Sequence, residues 1–154
     1  MASLDAIVCD TSSLIRLFKI SALGLARLDF DEVYIPTAVY AECPPQLQAQ
    51  LDQLDFKKLD PATSAIDKYG KGEQAMLNLA LERHIENVLT DDAKAIREAW
   101  RQGLTVYTAL DILVAAKSAG VIASVRDKLN ALKSAGEFIT QAAEVLALKQ
   151  AGEL

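Results

Sequence analysis

Apolar residues fall along the chain in short β-branched runs separated by longer stretches with helical spacing. Ile7-Val8-Cys9 is wholly apolar and ends at Asp10; Thr11-Ser12-Ser13 follows, and Leu14, Leu17 and Phe18 then recur at helical spacing. This predicts strand, hydroxyl-rich turn, helix. A second unit begins with Val33-Tyr34-Ile35, breaks at Pro36 and continues to Glu42 as a helix that Thr37 is placed to cap, before Cys43-Pro44-Pro45 stops it. Leu47, Leu51 and Leu54 in a polar frame predict an amphipathic helix over 46–55, with a short edge strand at 56–59.

Gly70-Lys71-Gly72 opens the best-defined helix, which carries Met76, Leu77, Ala80 and Leu81 on one side and ends near His84. Val88-Leu89-Thr90 predicts a buried strand running into Asp91-Asp92. Ala93, Ile96 and Trp100 recur at helical spacing until Gly103, and Leu104 to Tyr107 reads as the last strand. Three helices complete the pattern: Ala109 to Ser118, one striped by Ile122, Val125, Leu129 and Leu132, and one striped by Ile139, Ala142 and Leu146. Strands separated by such helices cannot pair as hairpins. The expected fold class is therefore α/β, three layers α/β/α around a central, mainly parallel sheet, with C-terminal helices. At 154 residues, 51% of them hydrophobic, the chain has the length for one domain with a substantial core, residues 1–154.

Composition narrows the chemistry. No apolar run approaches the roughly 18 residues that would span a bilayer, and Met1-Ala2-Ser3-Leu4-Asp5 has no signal-peptide character, so a cytoplasmic protein without a membrane partner is expected. Cys9 and Cys43 lie too far apart for a metal or redox motif and are expected as reduced thiols. With a single histidine, His84, at a helix end, a His-rich zinc site is excluded and any metal must be held mainly by oxygen, which favours magnesium or manganese. The net charge of −5 has the wrong sign for gripping nucleic acid by overall attraction. A cluster of carboxylates would account for that charge, and bound divalent cations would reverse it locally.

Such a cluster is written into the strand ends. In a parallel sheet, ligands gather outside the carboxyl ends of the strands. Asp10 closes the first strand and Asp91-Asp92 closes the strand at 88–90. Glu73 lies in the first turn of the helix that Gly70 and Gly72 open. Glu42 is about one and a half turns into its helix, but helical side chains lean back towards the N-terminus and the same rim. Carboxylates gathered in a partly dry site repel one another, so a compensating cation is the expected purpose. Magnesium bound through one or two carboxylates and waters suits phosphodiester hydrolysis.

Asp10-Thr11-Ser12-Ser13-Leu14-Ile15, the segment from Val33 to Glu42, Gly70-Lys71-Gly72-Glu73-Gln74-Ala75 and Leu89-Thr90-Asp91-Asp92 resemble, in order, the motifs of the PIN-domain family. The match looks nearest to an uncharacterised bacterial and archaeal VapC-like branch, whose tail is similar to Gly103-Leu104-Thr105-Val106 onward through Gly120. The resemblance implies a Mg2+- or Mn2+-dependent ribonuclease, often the toxin of a toxin–antitoxin pair, with RNA as substrate, an antitoxin protein as partner and a homodimer as assembly. Carried over by position, the acidic quartet is Asp10, Glu42, Glu73 and Asp92. Asp10, Glu73, Asp91 and Asp92 are the candidate metal ligands, with Asp91 replacing or assisting Asp92. Ser12 matches a hydroxyl that supports the site. Glu73 departs from the aspartate of many relatives, and Ala109 and Asp111 stand where the nearest branch often has glycines.

Each acid also has a plainer explanation. Asp10 can be a helix N-cap, Glu73 a favourable first-turn charge, Glu42 a solvated glutamate, and Asp111 either a further acid near the site or a cap. Arg16, Lys71 and Lys94 are candidate RNA contacts or ordinary surface charge. Two rival functions are a catalytically silent PIN-fold module that binds nucleic acid or protein, and a receiver-like phosphoacceptor domain. The latter needs an acid pair on the first strand, where this chain has one acid.

Overall fold

The computed structural model describes residues 4–154, with the side chains of Leu4 and Asp5 outside the description. Strand β1 (Leu4–Cys9) leads into helix α1 (Thr11–Lys19); a 3-10 turn at Leu23–Arg27 precedes β2 (Phe30–Ile35), α2 (Thr37–Glu42), α3 (Pro45–Gln53) and the two-residue edge strand β3 (Lys57–Lys58). The chain then crosses the sheet. Helix α4 (Lys71–Glu82), β4 (Asn87–Leu89), α5 (Ala93–Arg101) and β5 (Thr105–Tyr107) follow, and α6 (Ala109–Ser118), α7 (Val125–Ser134) and α8 (Gln141–Gln150) close the fold.

All pairings are parallel and the strand order is β3-β2-β1-β4-β5. This is the expected three-layer α/β/α arrangement. Alternate β1 residues enter different cores, as a two-residue period dictates. Ile7 and Cys9 pack with the faces of α1, α2, α3, α6 and α7, whereas Val8 packs with Met76, Leu77 and Ala80 of α4 and Ala95 and Ala99 of α5. The order also decides where a site can form. The chain leaves β1 to one side for β2 and β3, and returns on the other side to β4, so helices diverge to opposite faces between the ends of β1 and β4. A crevice opens at that switch point.

Several details differ from the pattern read along the sequence. Thr37 does not cap α2. Pro36 occupies the cap position, and Asp60, 23 residues on, accepts from both the Thr37 amide, at 2.8 Å, and its hydroxyl, at 3.0 Å. In α5 the buried face is Ala95, Glu98 and Ala99 rather than the stripe Ala93, Ile96, Trp100; Trp100 is 64% exposed. In α8, Ala147 and Leu148 are buried while Ala142 and Leu146 face outward, and Ile139 lies before the helix. Both helices carry apolar residues on more than one face, so spacing alone does not select the face that packs. Asp111 completes a capping box with Thr108, accepting its amide at 2.8 Å, so it serves as a helix cap. Both cysteines are buried free thiols, and burial pushes the Cys43 thiol up to about 11. Among the described residues no helix is long and apolar enough to cross a membrane.

Candidate active site

Asp10 stands immediately after β1, and its amide continues the ladder by donating to Leu89 of β4 at 3.0 Å. Its side chain is the N-cap of α1, so the capping role considered above is real; the carboxylate accepts the Ser12 amide at 3.1 Å. Capping does not exhaust it. The Ser12 hydroxyl donates to Oδ1 at 2.7 Å, and the Thr90 hydroxyl donates to Oδ2. Each hydroxyl is held by a backbone amide of the acid pair: Asp91 N–H donates to Ser12 Oγ at 2.9 Å, and Asp92 N–H to Thr90 Oγ1 at 3.1 Å. The ends of β1 and β4 are thereby tied through one carboxylate.

That carboxylate is only 2% exposed. Burial pushes its pKa up to about 7, against the opposing effect of the Thr90 and Ser12 hydrogen bonds, and the neighbouring charges of Asp91 and Glu73 push it further. A lone cap has no need of such crowding. Glu42 reaches the same rim: its Oε1 accepts the Thr11 hydroxyl at 3.2 Å and lies against the backbone of Gly72, where an added Cβ would fall 2.1 Å from it. The glycine at 72 therefore admits a carboxylate from α2 onto the first turn of α4. Glu73 folds back over Gly70 in the same way, at 2.1 Å from an added Cβ.

The two adjacent aspartates separate. Asp91 Oδ2 accepts the Ser13 hydroxyl at 2.6 Å and the Ala109 amide at 3.0 Å, while Oδ1 accepts Arg16 Nη1 at 3.1 Å. Asp92 caps α5 through Oδ2, which accepts the Ala95 amide at 2.8 Å; its Oδ1 has no hydrogen-bond donor among the described residues. The Arg16 guanidinium is engaged on every side, with Asp91, with Glu137 at 3.0 Å and with the Phe138 carbonyl at 2.9 Å. Lys71 and Lys94 are exposed at the starts of α4 and α5.

Thr90 is legible in the sequence only as a strand residue, yet it supplies one of the three hydrogen bonds to the Asp10 carboxylate and the only one to its Oδ2 among the described residues. The signal for it is a hydroxyl directly before an acid pair at a strand end. Ser13, Thr11 and Gly72 likewise shape the rim. The whole chain from 6 to 153 matches a family model described as a PIN domain. The chain belongs to the PIN-domain family. No characterised protein and no solved structure shows significant similarity to it. PIN domains are generally nucleases that use divalent metals, so membership supports a hydrolase of nucleic acid at that coarse level and sets the receiver-like alternative aside.

The donor set fits a hard divalent cation. The rim offers carboxylate and hydroxyl oxygens, with a buried carboxylate whose charge is opposed by its neighbours and relieved by either a proton or a cation. Among the described residues, no three acidic, thiol or imidazole groups converge closely enough to form a cage by themselves. Magnesium does not require one, since it usually keeps several waters.

Proposed function

We propose that this PIN domain is a magnesium- or manganese-dependent endoribonuclease. The observation that carries the reading is Asp10: a buried carboxylate clamped by two hydroxyls at the switch point of the sheet, its pKa raised chiefly by that burial and further by Asp91 and Glu73. Asp10, Glu73 and Asp92 would hold the ion, and Glu42 would complete the rim. Asp91, with both oxygens taken, is better suited to fixing the strand end. A bound divalent ion supplies an activated water and neutralises charge at the scissile phosphodiester. Ser12 and Thr90 keep the Asp10 carboxylate in one orientation, and their own orientation is fixed by the amides of residues 91 and 92. Glu42 stands close enough to Thr11 and Gly72 to position water at the rim. A VapC-like toxin role, an antitoxin partner and a homodimer rest on the sequence resemblance.

One observation favours a second reading, a PIN-fold binding module without turnover: among the described residues the carboxylates do not converge into a closed cluster. A single experiment separates the two. The purified chain is incubated with a mixed RNA pool in magnesium, manganese or chelator, with Asp10→Asn in parallel. Metal-dependent cleavage that the variant loses supports the nuclease. Metal binding by calorimetry with no cleavage of any RNA favours the binding module.

A further inference from the structure

The outward face of α5 starts at the acid rim and carries an unusual combination of side chains. Lys94, Arg97, Trp100 and Arg101 lie on one side of the helix and all are exposed. Trp100, the chain's single tryptophan, is 64% exposed. Lys94 and Arg97 form no ion pair among the described residues, and Arg101 pairs with Glu98 at 3.2 Å. Glu98 itself turns inward, 2% exposed, where the Tyr69 hydroxyl donates to it at 2.6 Å and the Gln102 amide at 2.8 Å. The face is thus locally cationic on a chain whose net charge is −5. It extends about 13 Å from the Asp92 cap at the usual helical rise.

We infer that the exposed face of α5 is a single-stranded RNA track leading to the acid rim, with Lys94 and Arg97 on phosphates and Trp100 stacked on a base. The choice of RNA as occupant rests on the nuclease reading. Exposed cations line the face that adjoins the rim, in charge complementarity to a phosphate backbone, and an exposed aromatic ring is set among them. Single-stranded nucleic acids are held by that pairing of cationic groove and stacking platform. An acidic protein surface would meet the cations but has no base to cover Trp100. A duplex would meet them too, but keeps its bases stacked internally.

The single tryptophan makes the test direct. Emission is followed while an unstructured uridine-rich RNA oligomer is titrated into the protein in chelator, which stops metal-dependent cleavage. Binding should quench Trp100. Trp100→Phe retains a weaker platform, whereas Trp100→Ala should weaken binding at least fivefold, measured by anisotropy of labelled RNA. Lys94→Gln with Arg97→Gln should lower the slope of log affinity against log salt by about 1.4, because each phosphate contact on a single strand contributes about 0.7. All three positions are exposed, and circular dichroism verifies folding. Absence of quenching, an unchanged salt slope, or equal quenching by duplex RNA or polyglutamate overturns the inference. RNA cleavage that persists in these variants with no change in binding refutes the track and leaves the nuclease standing. Quenching as expected, with no cleavage in any metal, refutes the nuclease and leaves the track.

Discussion

Replacing Asp10 by asparagine should stabilise the metal-free protein at neutral to alkaline pH while abolishing cleavage. Burial first, and the Asp91 and Glu73 charges after it, raise this carboxyl from 3.8 to about 7. Between those values the folded chain binds more protons here than the unfolded chain, so stability from this group is fullest below about pH 4 and declines as pH rises through about 7. At 1.36 kcal/mol per pH unit, three units set a ceiling of about 4 kcal/mol on the penalty of the ionised form. Asparagine removes that penalty but offers one N–H2 side to a hydroxyl already accepting a backbone amide, at a cost of about 1–2 kcal/mol. The net expectation is a gain of about 2 kcal/mol near pH 8 that turns into a loss of about 1–2 kcal/mol near pH 4, where only the hydrogen-bond cost remains. Urea unfolding in chelator, at intervals across that range, reads it directly. If wild type and Asp10→Asn show the same pH dependence, or the variant is less stable near pH 8, then the buried charge does not govern the site. Magnesium should stabilise the wild type near pH 8 and not the variant.

Gly72→Ala should cut nuclease activity far more than stability, because helix propensity gains about 1 kcal/mol while the new Cβ, 2.1 Å from Glu42 Oε1, displaces that carboxylate; unchanged kcat in manganese would disprove the placement of Glu42. Asn78→Ala should lower unfolding free energy by about 2–4 kcal/mol, since the buried Asn78 amide both accepts from Ile66 N–H and donates to its carbonyl, at 2.9 and 2.8 Å, and removal strands both groups; a loss under 1 kcal/mol in urea melts would show that water replaces it. Asp91→Asn should destabilise by about 2 kcal/mol through the broken Arg16 pair, whereas Asp92→Asn should spare stability and reduce metal-dependent cleavage; the opposite pattern in paired melts and assays would exchange their roles. Glu153, which caps α7 through the Val125 and Arg126 amides at 2.6 and 3.1 Å, is held down to about 2, chiefly by those backbone bonds. Its stabilisation is present above about pH 4.5 and lost as pH falls towards about 2, so Glu153→Gln should flatten the acid limb of a thermal-melt series.

What was legible in the sequence is local in origin. Runs such as Ile7-Val8-Cys9 and the helical spacing after Ser13 specify their own elements, and the parallel sheet follows from helices between strands. Acids at strand ends could be located for the same reason. The misread positions depend on partners far along the chain. Asp60 displaces Thr37 as the source of the α2 cap from 23 residues away, and the packed face of α5 is set by α4 and the sheet rather than by Trp100's spacing. Thr90 contacts a carboxylate 80 residues distant, so nothing beside it announces its part in the site.

The adjacent acids show how one short motif turns neighbouring carboxylates to different surroundings. The residue after Thr90 turns its side chain into the protein, where Ser13, Arg16 and the first amide of α6 take both carboxylate oxygens. The next residue must point elsewhere, and it caps α5 at the rim with one oxygen that has no donor among the described residues. Through Arg16, the inward aspartate also connects the end of β4 to Glu137 and Phe138 between α7 and α8. The C-terminal helices therefore brace the rim rather than merely covering the sheet. Arg16, read along the sequence as a candidate RNA contact, is central to that brace.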